Sequence, residues 1–509
     1  YEEPEFKLPL FMKDWTDEKK ADFAYGLLTC ITSSSRSKVA DRLYNLIHRD
    51  YISALPFEIK LDILCYLDLS SLFRLSLVSK EWHKVIEDQT IWKERFLQSG
   101  WGLNNTALET YLSKRTVEKS MSSSHLSPPL PRLGPFKISS NTHPTNHRFA
   151  FSRSQPLSIH HRESGGTQFG NRPRRRSRLD ETACYHYQNI TDTRFINWKR
   201  LFRNRSIIER RWQTADYKLH QIGSDPTGIY CLQFDSDLLV TGGRDRQIKV
   251  WDIQSGELRR TLQGHMGSVI CLHFDHRFLI TGGGDAVLIV WDRQTFTRIK
   301  VLRAHEDGVF NVKFKGDVMV SSSKDRTIRV WRLHPDGNAT TRLVLRGHRA
   351  SVNAVQFKGN RVVSASGDKT IKIWDMTTGE CLKTLNSHSE GIACVEYDGK
   401  HIISGSCDQT IKIWNASTGE CIRTLVSHTK LVRSLQLDSQ SKKMVSGSYD
   451  GSLKIWGLEN GALIKSLNQV TIGSIFSLQF DYGRIVCCSN QGKILVYDFT
   501  YDIDTQFFT

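Results

Sequence analysis

Five sets of side chains in the second half of the chain have the residue types that a hydrolase or a zinc site would need. Each joins a His, a Ser or Thr, an Asp and a Trp in the same order. They are His265, Thr281, Asp285 and Trp291; His305, Ser321, Asp325 and Trp331; and His348, Ser364, Asp368 and Trp374. His388, Ser404, Asp408 and Trp414 follow, and then His428, Ser446, Asp450 and Trp456. A hydroxyl beside an imidazole that a carboxylate orients is nucleophile machinery, and His with Asp can hold zinc. Repetition argues against both, because a reaction centre is needed once and a group written five times is a building element. The same types also chain hydrogen bonds, from indole N–H to hydroxyl, hydroxyl to imidazole, and imidazole N–H to carboxylate. Buried polar groups require such partners. The sets are read as frame, and no catalytic residue, metal or cofactor is assigned to them.

The elements that position them repeat as well. Trp251, Trp291, Trp331, Trp374, Trp414 and Trp456 each close a short apolar run, with Tyr497 in a seventh slot, at intervals of 40 to 43 residues. A period just above forty that ends in Trp-Asp, as at Trp251-Asp252, Trp291-Asp292 and Trp374-Asp375, marks a propeller blade. Within one period, residues 269–274, 278–281 and 287–291 read as strands separated by tight Gly, Ser and Asp turns. One such sheet has open edges and little core, so the copies must pack around an axis. The first blade keeps Thr241, Asp245 and Trp251 without the Gly-His, and the seventh has Cys487, Gln491 and Tyr497. Residues 217–222 read as an outer strand added to that last blade, which would close the ring without a free edge. The repeat closely resembles the WD40 family. The fold class is therefore mainly β, a seven-bladed WD40 propeller over residues 215–499 preceded by small helical parts.

The first half is heterogeneous. Residues 13–50 read as two amphipathic helices, with Thr16 capping the first and Phe23, Leu27 and Leu28 on one side. Such short helices need a neighbour or a second copy to cover their apolar faces. Over residues 52–98, Pro56 lies in a first turn and Ile59, Ile63, Leu64 and Leu67 form a stripe. Asp68 to Ser71 break and recap the chain, and Ser79 caps a helix carrying Trp82, Val85 and Ile86. The string LPFEIKLDILCYLDLSSLFRLSLVSKEWHKVIEDQTIWK resembles the F-box from end to end. F-box proteins dock the Skp-type linker subunit of a cullin-RING ubiquitin ligase. The resemblance implies that Leu55, Pro56, Ile59, Leu64, Leu67, Leu75, Val78 and Trp82 form its framework or docking surface.

The net charge of +17 invites a nucleic-acid or membrane reading. Much of the excess is local, since residues 121–180 hold ten Arg or Lys against two acids, with seven prolines and eleven serines. Residues 119–185 are expected to be a disordered linker. Its run Pro-Arg-Arg-Arg-Ser-Arg at 173–178 suits nuclear import or a nucleic-acid contact, but a solvated charge run accounts for it equally. Residues 193–214 are expected to be a helical bridge using Trp198, Leu201, Phe202 and Trp212. Eleven cysteines without paired Cys-x-x-Cys spacing fit a reduced compartment, the cytoplasm, the nucleus or both. No apolar run reaches membrane-spanning length, so a membrane is not expected as partner.

An F-box followed by seven WD40 blades resembles the substrate receptors of SCF-type ubiquitin ligases, and among them the beta-transducin-repeat-containing type. Three stretches carry this likeness: GIYCLQFDSDLLVTGGRDRQIKVWD, WRLHPDGNATTRLVLRGHRASVN, and LVRSLQLDS with MVSGSYDGSLKIW. Residues 13–50 look like that type's dimerisation region. Two positions vary from blade to blade where WD40 rings rim the mouth of the central channel. Just before the turn Asp stand Arg244, Gly284, Lys324, Gly367, Cys407, Tyr449 and Asn490. Early in the first strand stand Tyr230, Ile270, Phe310, Asn353, Ala393, Arg433 and Phe476. Aromatic residues mixed with Arg and Lys suit a phosphopeptide. The resemblance implies a degron of the Asp-phosphoSer-Gly-x-x-phosphoSer kind, contacted by Tyr230, Arg244, Lys324, Asn353, Gly391, Arg433 and Tyr449. Glu390 stands where that type has an Arg, which puts the second phosphate in doubt. The expected function is a non-catalytic receptor for phosphorylated substrates, a homodimer joined to a Skp-type subunit and through it to cullin and RING proteins. A scaffold for non-phosphorylated partners, or a nucleic-acid protein acting through the basic linker, are the alternatives.

Overall fold

In a computed structural model of the chain, the described residues are Met12, 15–47, 55–111, 113, 196–468 and 473–508. The basic linker, with its arginine run, lies outside them, as do both ends of the 13–50 segment and residues 193–195. Two compact units divide the chain at Arg95 and Phe96. Among the described residues no helix is long and apolar enough to cross a membrane.

The first unit is helical. Asp17–Cys30 is capped by Thr16, whose side chain accepts from the Lys19 N–H, and no side chain of this helix is buried. Ser33–Ile47 follows. The next helices are Phe57–Tyr66, Leu69–Leu75 and Lys80–Ile86. Pro56 is the N-cap of the first of these rather than part of its first turn. Its fixed φ and missing N–H suit either place. The Asp68 carboxylate caps the second helix at the Ser70 and Ser71 N–H groups, and the Ser79 hydroxyl caps the third at Trp82. A fourth helix begins at Gln89, and its Trp92 indole N–H donates to the Ile86 carbonyl at 2.7 Å. Leu64, Leu72, Trp82, Ile86, Ile91 and Trp92 make the core.

The second unit is a propeller of seven four-stranded antiparallel sheets. The first blade is Ile229–Phe234, Leu238–Gly243, Gln247–Asp252 and Leu258–Gln263, in that order from axis to rim. Its second strand is buried at every position, because both faces are covered by neighbouring blades. That is why these strands read as unbroken apolar and small residues. The outermost strand buries Leu262 alone and carries Arg259 and Arg260, charges that keep an open edge from pairing with another chain. Closure joins the two ends of the repeat. Lys218–Ser224 pairs antiparallel with Lys493–Asp498 and completes the seventh sheet. Where they meet, the Asp225 N–H donates to the Gly492 carbonyl, and a Cβ at Gly492 would lie 1.4 Å from the Asp225 oxygen. Only glycine fits there.

Five blades contain the polar chain. In the second, the Trp291 indole donates to the Thr281 hydroxyl at 3.0 Å, and His265 spans from Thr281 at 2.9 Å to Asp285 at 3.0 Å. The Asp285 carboxylate then accepts the Met266 N–H at 2.7 Å. The same links hold His305 to Asp325, His348 to Asp368, His388 to Asp408 and His428 to Asp450 at 2.7–2.9 Å. Trp331, Trp374, Trp414 and Trp456 donate to their blades' serines. Every one of these hydroxyls is fully buried, so none can meet a substrate. Blade one replaces the missing imidazole with an amine: Lys249 bridges buried Asp225 and Asp245, the latter at 3.0 Å. Blade seven has no substitute, and among the described residues the buried Tyr497 hydroxyl has no partner.

Burial pushes the imidazoles of His265, His305, His348 and His388 below their ordinary 6.5, against the pull of the adjacent carboxylates. Each then binds fewer protons folded than unfolded. Their stabilisation is therefore complete above about pH 6.5 and is lost as the pH falls from there toward the folded values. The propeller's melting temperature is expected to drop between about pH 7.5 and about pH 5.5. Circular dichroism melts at the two pH values check this, and an equal or higher midpoint in acid would contradict it.

Two further elements complete this unit. Asn197 caps the helix Trp198–Thr214, which buries Leu201, Phe202, Ile208 and Trp212. Trp212 stacks on Phe499 at 4.3 Å and donates to the Tyr482 carbonyl at 2.9 Å. The chain beyond residue 499 is also packed: Phe507 and Phe508 are buried, and Phe508 stacks on Phe96.

Candidate peptide-binding site

One backbone irregularity, repeated in all seven blades, builds the mouth of the channel. The pairing of each innermost strand with its neighbour slips after its first residue, at Ile229/Cys231, Val269/Cys271, Val309/Asn311, Val352/Ala354, Ile392/Cys394, Val432/Ser434 and Ile475/Ser477. The residue skipped by the ladder is a bulge, and a bulge re-aims its side chain. Those residues are Tyr230, Ile270, Phe310, Asn353, Ala393, Arg433 and Phe476. All but Asn353 line a central cavity of about 340 Å³. The Asn353 amide instead donates to the Ile392 carbonyl of the next blade at 2.8 Å. A second regularity sets the rim. The N–H of each residue before the turn Asp donates to the carbonyl just ahead of its own innermost strand, for example Arg244 to Gly228 at 3.0 Å and Tyr449 to Leu431 at 2.9 Å. The seven variable rim residues therefore surround the seven bulged ones.

Across this ring the chemistry is uneven. On blades six, seven and one the aromatic residues join: Phe476 lies 5.5 Å from Tyr230 in a stack and 5.3 Å from Tyr449. All three are half-buried: the bulges turn Tyr230 and Phe476 toward the axis, and Tyr449 packs on Phe476 from the rim. Arg433 is half-buried beside them and, among the described residues, makes no ion pair or side-chain hydrogen bond. Its charge reaches the axis. Burial pushes the Cys394 thiol up to about 12, with the Arg433 guanidinium the main opposing influence, and thiols on blades one and seven feel the same charge. Arg244 is exposed on the rim. Lys324 is already paired with Asp307 at 3.1 Å. Gly391 lies close to the neighbouring blade, where a Cβ would come within 3.3 Å of the Gly367 Cα, so the floor there is bare backbone.

The helical unit presents its own face. Pro56, Ile59 and Val78 are exposed, and Leu55, Leu67 and Leu75 are half-buried. Leu64 and Trp82 lie in the core, so they serve as framework and offer no docking surface. The face has larger members that helical periodicity did not single out: Tyr66 is 91% exposed, Leu77 86%, and Phe73 and Phe57 about half. An apolar group this large in water marks an interaction surface.

Family models match both parts. The F-box-like family matches residues 52–98. The WD domain, G-beta repeat, matches six segments between residues 217 and 457. The chain is an F-box and WD40-repeat protein. The seventh blade of this F-box/WD40 protein is not among the matched repeats, in keeping with its missing polar chain. A probable E3 ubiquitin ligase complex SCF subunit, scon-2 of Neurospora crassa, is 26% identical over 256 residues, covering 47% of this chain and 35% of that one. The similarly described sconB of Aspergillus oryzae is 28% identical over 249 residues, covering 47% and 34%. The matched region thus spans about a third of either relative. The crystal structure of the computationally designed protein Ika8 has 26% identity and a TM-score of 0.46, covering 55% of this chain and 98% of that one.

Proposed function

We propose that this F-box/WD40 protein is the substrate-recognition subunit of an SCF-type ubiquitin ligase. Its propeller mouth takes a phosphorylated segment of the substrate, and its F-box face docks a Skp-type linker subunit joined to cullin and RING proteins. The ligase chemistry resides in those other subunits, and the work takes place in the cytoplasm or nucleus. The observation that carries the reading is Arg433, a half-buried guanidinium at the axis that has no ion pair among the described residues and lies beside three packed aromatic rings. A guanidinium that is half-shielded from water and has no partner within the protein keeps its donors for a ligand anion. A phosphoserine supplies nearly two charges and three acceptor oxygens, which a guanidinium grips in two bonds. The rings supply apolar contact for the peptide on either side. The relatives described as SCF subunits support the same assignment. Titrating the full chain with one peptide in phosphorylated and unphosphorylated forms tests it. Equal affinities would instead favour a scaffold for non-phosphorylated partners.

The N-terminal helices fit a homodimer. No side chain of Asp17–Cys30 is buried, and Phe23, Tyr25 and Leu27 are exposed on it. A second copy would cover that surface and bring two mouths together, which raises effective concentration without new contacts. Light scattering is expected to give twice the chain mass at micromolar concentration, and the single mass once residues 1–50 are removed. A single mass for the intact chain would contradict the dimer.

A further inference from the structure

Charge is distributed around the mouth in a way that bears on what kind of phosphopeptide it takes. The last loop residue but one before each innermost strand is equivalent from blade to blade. It is Asp307 in blade three, Glu390 in blade five and Lys430 in blade six. The Gly308 N–H and the Lys324 amine hold the Asp307 carboxyl below its usual range, so the blade-three rim lysine is held in a closed ion pair. Glu390 is exposed and, among the described residues, its carboxylate has no ion-pair partner. It acts at the same place as Arg433: after burial, the Glu390 charge is the next influence raising the Cys407 thiol, and Arg433 lowers it. Among the described residues, Arg433, Arg244 and Lys430 bring cations without an ion-pair partner to blades six and one, while Lys313 lines the blade-three wall of the cavity.

We infer that the mouth selects a segment carrying a single phosphate, seated at Arg433, with a Lys or Arg side chain on its blade-five side in place of a second phosphate. The inference rests on the phosphopeptide reading above and adds the charge pattern of the substrate. A phosphate in the throat meets an unpaired guanidinium and the aromatic wall. A second one carried toward blades five and three meets the Glu390 carboxylate and a lysine already neutralised by Asp307. Like charges brought together at an interface oppose binding, and opposite charges set register. The bare floor at Gly367 and Gly391 lets an extended backbone cross there, so a basic side chain can reach Glu390 at the rim.

The test uses the intact chain and four labelled peptides of one sequence with two serines four positions apart. They are unphosphorylated, phosphorylated at the first serine, phosphorylated at both, and phosphorylated at the first with Lys in place of the second. The Lys peptide is expected to bind about tenfold more tightly than the doubly phosphorylated one. Glu390→Arg is expected to reverse that order, and the milder Glu390→Gln to bring the two together. Doubly phosphorylated peptide binding the natural chain as tightly as the Lys peptide, or more tightly, would overturn the charge pattern alone. If no phosphorylated form exceeds the unphosphorylated peptide, the phosphopeptide reading falls and this inference falls with it.

Discussion

Replacing Arg433 by alanine is expected to remove the propeller's preference for a phosphorylated over an unphosphorylated peptide. The guanidinium is half-buried at the axis and, among the described residues, has no ion pair, which leaves its donors for a ligand oxygen. Charge-assisted hydrogen bonds are worth about 1.5–3 kcal/mol each, so losing a two-bond grip costs at least about a hundredfold in affinity. The aromatic contacts of Tyr230, Phe476 and Tyr449 remain in the variant, leaving weak binding that ignores the phosphate. Arg244 is a useful contrast. It is exposed on the rim, where a charge mainly steers encounter, so Arg244→Ala should slow association and flatten the salt dependence. Calorimetry with the two peptide forms decides the point. An unchanged ratio of affinities in Arg433→Ala would place the phosphate elsewhere.

The second large effect is expected at the F-box. Leu77 and Val78 stand in solvent while Leu64, Leu72 and Trp82 hold the helices together beneath them. Charging the exposed pair, as Leu77→Asp with Val78→Asp, should leave the fold intact and abolish capture of a Skp-type linker subunit. Interface anchors of this size commonly cost more than 2 kcal/mol each when removed, so a loss of more than a hundredfold is expected. Trp82→Ala acts differently, since emptying a buried tryptophan site costs about 3–5 kcal/mol of folding free energy. It should lower the melting temperature as well as binding. Pull-down with purified linker subunit, beside a melting curve, separates the two. Undiminished capture by the Asp pair would contradict the docking face.

What was legible in the sequence follows from which signals repeat. The Trp spacing revealed seven blades, and the recurrence of His, Ser or Thr and Asp identified a buried frame before any hydrogen bond was drawn. The amine that serves blade one was not legible. Lys249 ties down the turn carboxylate of Asp245 together with Asp225, which lies ahead of the innermost strand. No spacing rule predicts that exchange. The rim and throat positions were legible as variable sites in a constant frame, but the cause of their common direction was not. It is the one-residue bulge at the start of every innermost strand. Phe476 and Tyr230 were legible as variable aromatic positions, but their stacking on each other and their half-burial were not. In the F-box, helical periodicity found the stripe that includes Leu64 and passed over Tyr66 and Leu77, which are the more exposed. Phe507 and Phe508 carried no periodic signal, since a lone aromatic pair near a chain end shows its packing only in three dimensions.

The most direct test of the receptor account is reconstitution. The full chain is mixed with a purified Skp-type linker subunit, cullin, RING protein, conjugating enzyme and ubiquitin. The substrate carries a single phosphoserine with a lysine nearby, and the extent of its ubiquitination is measured. The account predicts modification that requires the phosphate and disappears in both Arg433→Ala and the Leu77→Asp, Val78→Asp pair. Equal modification of phosphorylated and unphosphorylated substrate, or full activity in either variant, would contradict it.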